Sequence, residues 1–148
     1  TTVFRQTMFA EFEKIIHEEV ERGGALTTDW LSERYRELNQ HYYGEEVVID
    51  PEIALEWSRI PHFYTGFYVY KYATGYAAAI ALSRGILDQG PNARQRYTEF
   101  LKGGDSDYPL NLLRKAGVDM ESPAPVAAAL DVFKGLVDEL AGLTGIQI

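Results

Sequence analysis

Apolar residues recur along this chain every three or four positions, the period of an α-helix with one buried face. Phe4, Met8, Phe12 and Ile15, flanked by Phe9, Ile16 and Val20, trace the first such stripe, which Gly23-Gly24 ends. In "LTTDWLSERYRELNQHYYG" the stripe is Trp30, Leu31, Tyr35 and Leu38, with Gly44 as the stop. Thr27, Thr28 or Asp29 supplies its N-cap, because a side-chain oxygen there takes up a free N–H of the first turn. Pro51 and Pro61 disfavour helical geometry in the residues before them, so any helix between the two is short. A long helix is predicted from about Thr65 to Leu87. Gly90-Pro91 breaks it, "NARQRYTEFLK" resumes a helix, and Gly103-Gly104 interrupts again. "SDYPLNLLRKAG" reads as a short helix ending at Gly117. "SPAPVAAALDVFKGLVDELAGL" is the last, with Ser122 as a cap and Pro123 or Pro125 in the first turn, where proline forfeits no hydrogen bond. No strand pair or internal repeat interrupts the pattern. The fold class is all-α, a multi-helix bundle in a single domain over residues 1–148.

Composition narrows the function more than the fold. A chain of 148 residues holds one domain with a real core rather than two. The formal charge of −8, from 14 basic and 22 acidic residues, argues against a nucleic-acid partner, which demands a basic face. The basic residues are dispersed, so no run of them addresses an anionic membrane. The longest apolar run, "GYAAAIAL", falls well short of the roughly 20 residues of a membrane span. The absence of cysteine excludes disulfides and thiolate metal sites, and it fits a reducing, cytoplasmic setting. The sequence opens inside a helical pattern without methionine, which suggests a piece of something longer.

One stretch concentrates polar-tipped rings. "IPHFYTGFYVYKYATGYAAA", residues 60–79, holds His62 and five tyrosines. On a helix at about 100° per residue, Tyr64, Tyr68, Tyr72 and Tyr76 form one slowly rotating stripe, and Tyr70 points roughly the opposite way. Such a helix is aromatic on two faces and mostly surrounded, and Ala73, Gly75 and Ala77–Ala79 allow close approach of its neighbours. On one reading it is a central helix whose phenols bond to neighbours or water. On the other, His62, aimed by Pro61, joins Tyr64 and Tyr70 in donating hydrogen bonds to an oxyanion, as acyl-transfer enzymes require. None of these groups readily activates water by itself.

A metal would supply that activation. The H-E-x-x-H motif places two histidines four apart on one helical face. The nearest string, His17-Glu18-Glu19-Val20-Glu21, has glutamate where the second histidine belongs. His17 and Glu21 read better as a solvated pair near a helix end, and His41 as a surface or capping residue. No Ser/His/Asp pattern, phosphate loop or dinucleotide fingerprint is present. "KGGDS" lacks the strand-turn-helix setting of a phosphate loop.

Four segments in order, "TVFRQTMFAEFE", "IPHFYTGFYVYKYATGYAAA", "YTEFLKGGDSDYPLNLLRKAGVDM" and "FKGLVDEL", resemble the C-terminal part of the oligoendopeptidase F family, within the thimet-oligopeptidase-like zinc metallopeptidases. The resemblance implies a helical, clam-shaped enzyme whose channel admits oligopeptides, with this chain as the C-terminal half of the catalytic domain. In that family the zinc-binding motif and its glutamate lie upstream of the segment matching Thr2–Glu13. Zinc therefore belongs to the intact parent, and this chain alone is expected to hold none and to be inactive. The match at His62 and at "GFYVY" (residues 66–70) marks His62 and Tyr70 as catalytic, binding the oxyanion, with Tyr64 and Tyr68 on the substrate. The expected partners are an oligopeptide and either the missing N-terminal half or a second copy covering the face left exposed. The competing reading is a stand-alone helical module that binds a peptide or partner without chemistry.

Overall fold

The computed structural model describes residues 2–146, and its regular elements are all helices. They are α1 (Thr2–Glu21), α2 (Thr28–Tyr43), a 3₁₀ helix at Pro51–Arg59, a shorter one at Pro61–Tyr64, α3 (Tyr70–Gln89), α4 (Pro91–Gly103), α5 (Pro109–Ala116) and α6 (Ala124–Thr144). No strand occurs among the described residues, so the fold class is all-α as the periodicity requires. The backbone gathers into two compact units, one running through Ala73 and the other from Thr74 onward.

In the first unit α1 and α2 supply most of the core. Met8, Phe9 and Phe12 of α1 are buried with Tyr35 and Leu38 of α2, and Ile60 and Val69 close the cluster. The predicted stripe on α1 is thus buried only over its middle, while Phe4 and Val20 stay exposed. Phe63 packs onto the same core, its ring edge-on to Phe9 at 5.4 Å and tilted against Phe12 at 5.1 Å. Burying each such side chain stabilises the unit by about 1.5–3 kcal/mol. Of the three N-cap candidates on α2 the backbone selects Thr27, whose hydroxyl accepts from Trp30 N–H at 3.3 Å.

The first unit also buries a charge. Glu56, only 6% exposed, lies in the 3₁₀ helix between the two prolines. Its Oε2 accepts from the Tyr35 hydroxyl at 2.7 Å, and its Oε1 accepts from Arg5 at 2.7 Å and Arg59 at 2.6 Å. A carboxylate taken out of water is tolerated only when paired and hydrogen-bonded, and these three donors do both. Burial, then the bond to Glu56, push the Tyr35 phenol far above its usual range. The network ties the segment ahead of His62 to α1 and α2 together.

The aromatic helix differs from its prediction. It starts at Tyr70, about five residues later than the periodicity indicated. Ahead of it the chain forms the Pro61–Tyr64 turn and then a reversal at Gly66-Phe67, where Phe67 has φ = +55°. A helix cannot pass through such a residue. Tyr64 and Tyr68 therefore precede α3 instead of lying on its stripe, and only Tyr72 and Tyr76 keep the predicted spacing within it. The helix is not surrounded either, since Tyr64, Tyr68, Tyr70, Tyr72 and Tyr76 are all exposed.

The second unit takes in the rest of α3 with α4, α5 and α6. Its buried residues are mostly small: Ala77, Ala78, Ala93, Ala116 and Ala129, with Leu112 and Val118. The helices α4 and α5 meet closely at Gly103, where a Cβ would stand 3.3 Å from Leu112 Cδ2. Gly117 ends α5 at φ = +98°, its N–H bonding Arg114 and the Val118 N–H reaching back to Leu113. That paired closure satisfies the last carbonyls of the helix, and it seats Val118 in the core. Before α6 the N-cap position falls to Pro123 rather than to Ser122, whose Oγ instead accepts the Ala124 N–H at 3.2 Å from one residue further out.

Candidate functional site

Of the residues marked by sequence, His62, Tyr64 and Tyr68 lie in the first unit on a short segment fastened at three points, and Tyr70 opens α3 directly after it. Ile60, Phe63 and Val69 face the core, and the polar rings between them are left pointing outward. This alternation is why the loop presents His62 and the tyrosines on a defined surface rather than on a loose tether.

His62 sits between two phenol rings. It stacks nearly parallel on Tyr68, with centroids 5.9 Å apart and planes 13° apart, and it meets Tyr72 edge-on at 5.6 Å. Tyr68 and Tyr72 close the triangle at 5.7 Å. The Tyr72 hydroxyl lies 3.3 Å from His62 Nε2. Hydrogen bonding with the Tyr68 phenol, followed by partial desolvation, raises the Tyr72 pKa above the ordinary tyrosine value. Lys71 Nζ lies 4.9 Å from the centre of the Tyr68 ring, a cation against the electron-rich face.

The other two predicted residues are placed differently. Tyr64 is 74% exposed and donates its hydroxyl to the Ser58 carbonyl at 2.7 Å, which turns its polar tip toward the preceding 3₁₀ helix. Tyr70 opens α3 about half exposed. Two helical steps separate it from Tyr72, so the two side chains leave the axis about 200° apart. The structure thus gathers His62 with Tyr68 and Tyr72. Tyr72 stood on the predicted stripe without a role, and its spacing of four from Tyr68 was the signal available.

The metal-like string resolves into something else. His17 is half-buried, its Nδ1 held by the Glu13 carbonyl at 2.7 Å and its ring 4.4 Å from that of Phe67. No ion pair joins it to Glu21 among the described residues, so the solvated-pair reading gives way to packing against the 66–67 turn. Nor is any group of three His, Cys, Asp or Glu side chains placed to hold a metal ion among the described residues. These residues do not fit a zinc ion. His41 is exposed in the last turn of α2, edge-on to Tyr42 at 5.6 Å, as its surface reading implied. A cavity of about 550 Å³ between α1 and α2, lined by Glu18, Arg22, Trp30 and Arg34 among others, includes none of the rings around His62. Its walls carry both signs of charge and point to no ligand.

Comparison with known proteins shows the family and the fold. Residues 1–132 match the model of peptidase family M3. Oligopeptidase PepF of Bacillus subtilis (strain 168) is 56% identical over 142 residues, covering 96% of this chain and 21% of that protein. Group B oligopeptidase PepB of Streptococcus agalactiae serotype III (strain NEM316) is 48% identical over 142 residues, covering 96% and 24%. The crystal structure of oligoendopeptidase-F from Enterococcus faecium superposes with a TM-score of 0.94 at 50% identity, covering 99% of this chain and 28% of that one. The chain therefore spans between a fifth and somewhat over a quarter of the length of these relatives. Because residues 1–132, most of this chain, match the family model and the helical fold is shared, the chain belongs to peptidase family M3.

Proposed function

We propose that this chain is the substrate-facing part of a zinc metalloendopeptidase that hydrolyses short peptides, drawn from the C-terminal portion of one catalytic domain and lacking the zinc-ligand motif. The observation that carries the reading is the anchored, outward-facing set of His62, Tyr68 and Tyr72, in a chain of family M3. An extended peptide offers carbonyl oxygens and amide hydrogens, and a wall of imidazole and phenol groups can bond to both while its rings cover apolar side chains. In the intact enzyme zinc supplies Lewis acidity from residues outside this chain. His62 and Tyr70 donate hydrogen bonds to the oxygen on which charge develops, and Tyr64 and Tyr68 hold the substrate. Tyr72 faces His62 Nε2 and so bears on which ring nitrogen carries the proton offered to substrate. The lack of cysteine accords with a cytoplasmic setting, where such an enzyme would meet peptides already released from proteins.

The test is Tyr70→Phe in the peptidase assembled with its zinc-bearing segment. Losing one oxyanion donor lowers kcat on the order of 10²–10³ and leaves KM nearly unchanged. A kcat close to wild type would remove Tyr70 from that role. Calorimetric titration of this chain alone with short peptides addresses the binding-only module. Tight binding here, together with wild-type kcat in the assembled variant, would favour the module.

A further inference from the structure

We infer that Glu13 is a positioning residue, which holds the Gly66-Phe67 turn in the conformation that sets Tyr68 beside His62. Its consequence for catalysis rests on the reading proposed above, but the clamp itself is a matter of geometry.

Glu13 lies in the middle of α1 and is 2% exposed. A carboxylate so placed needs a strong partner, since burial without one is heavily unfavourable. That partner comes from 54 residues further along the chain: Oε1 accepts the backbone N–H of Phe67 at 2.5 Å. Phe67 is also the single non-glycine residue with positive φ among the described residues, at +55°. For a bulky aromatic residue this backbone is strained, and it persists only where the surroundings over-determine it.

Two groups of α1 do so. The Glu13 carboxylate fixes the Phe67 backbone, and the His17 ring, one helical turn on, lies 4.4 Å from the Phe67 ring. His17 is itself fixed through Glu13, whose carbonyl meets His17 Nδ1 at 2.7 Å. Glu13 therefore acts on the turn by its side chain directly and by its backbone through the imidazole. The chain is held at Phe63 before the turn and at Val69, which is fully buried, after it. With both ends fixed, the turn's conformation decides where Tyr68 points. Tyr68 stacks on His62 and touches Tyr72, so release of the turn should disperse the whole triangle.

The experiment compares wild type, Glu13→Gln and Glu13→Ala in this chain by nuclear magnetic resonance, with circular dichroism to confirm helix content. The wild-type Phe67 amide proton is expected far downfield, and the His62 and Tyr68 rings should show mutual contacts. Glu13→Gln keeps a neutral acceptor, so the amide shifts upfield while the ring contacts survive. Glu13→Ala keeps its helices but loses the His62–Tyr68 contacts, and Tyr72 titrates closer to an ordinary tyrosine. A folded Glu13→Ala variant with those contacts intact would overturn the inference. If Glu13→Ala does not fold, Glu13→Gln decides: an unmoved Phe67 amide overturns the clamp, and a shifted one supports it. None of these readouts uses activity. In the assembled peptidase Glu13→Ala should lower kcat about tenfold or more, with Glu13→Gln recovering most of it. Dispersed rings with unchanged kcat would uphold the clamp and sink the catalytic reading of the face instead.

Discussion

Glu56 and Tyr42 show at the scale of single residues how carboxylates set the chemistry of their neighbours. Glu56 gathers two guanidinium groups and a phenol in a site nearly closed to water. Truncating it leaves Arg5 and the Tyr35 hydroxyl without their partner, so Glu56→Ala should destabilise the chain by about 3 kcal/mol in urea unfolding. Arg59→Ala should cost far less, because that side chain is mostly in solvent and its pairing is screened. Tyr42 is a titration case. Partial burial, then its 2.7 Å bond to Glu11, raise the phenol pKa from 10.0 to about 12. The neutral phenol is thus favoured by folding. Its contribution is complete below pH 10 and fades as pH rises toward 12, so alkaline titration should destabilise wild type more steeply than Tyr42→Phe. Tyrosinate absorbance against pH, with melting curves over the same window, checks both parts. Single residues were also where the sequence was least legible. His62 stood out by its proline neighbour and Tyr68 by the density of rings. Nothing in the local pattern around Glu13 distinguishes it from a solvated helix carboxylate, because its partner lies on a distant turn.

Helices were legible wherever glycine and proline punctuate the chain, since those residues act through their own backbone. Gly44, Gly90-Pro91 and Gly117 ended elements where expected, and the cap at Thr27 was among the three candidates. The start of α3 was not legible in this way. Its tyrosine spacing fits a helix from residue 64, yet a backbone N–H bonded to Glu13 diverts the chain at Phe67. A contact across the fold overrode a local period. Gly117 offers the cleanest test of the local kind. An added Cβ would meet only Arg96 atoms at 3.6 Å, an ordinary contact, so space is not at issue. The left-handed backbone is, and Gly117→Ala should lower stability by about 1–2 kcal/mol. Thermal unfolding would register this as a lower Tm with unchanged helix content at room temperature. An unchanged Tm would mean that the closure of α5 relaxes without penalty.

The molecule as a whole leaves a large amount of apolar surface uncovered, and α6 carries much of it. Leu130, Leu136, Leu140 and Leu143 are each more than two-fifths exposed on that helix. Exposed apolar area of this kind on one chain favours association, because each buried Å² contributes roughly 25 cal/mol before the cost of ordering. On the proposed reading these side chains meet the rest of the peptidase, and in this chain alone they meet another copy. Sedimentation equilibrium should therefore show a dimer or larger assembly at high concentration, and Leu136→Lys with Leu140→Lys should shift it toward monomer. On the same reading, adding the zinc-bearing segment should compete with self-association and yield a one-to-one complex. A wild-type monomer at high concentration that also ignores the added segment would count against both occupants, and with them against the view that this chain is one part of a larger catalytic domain.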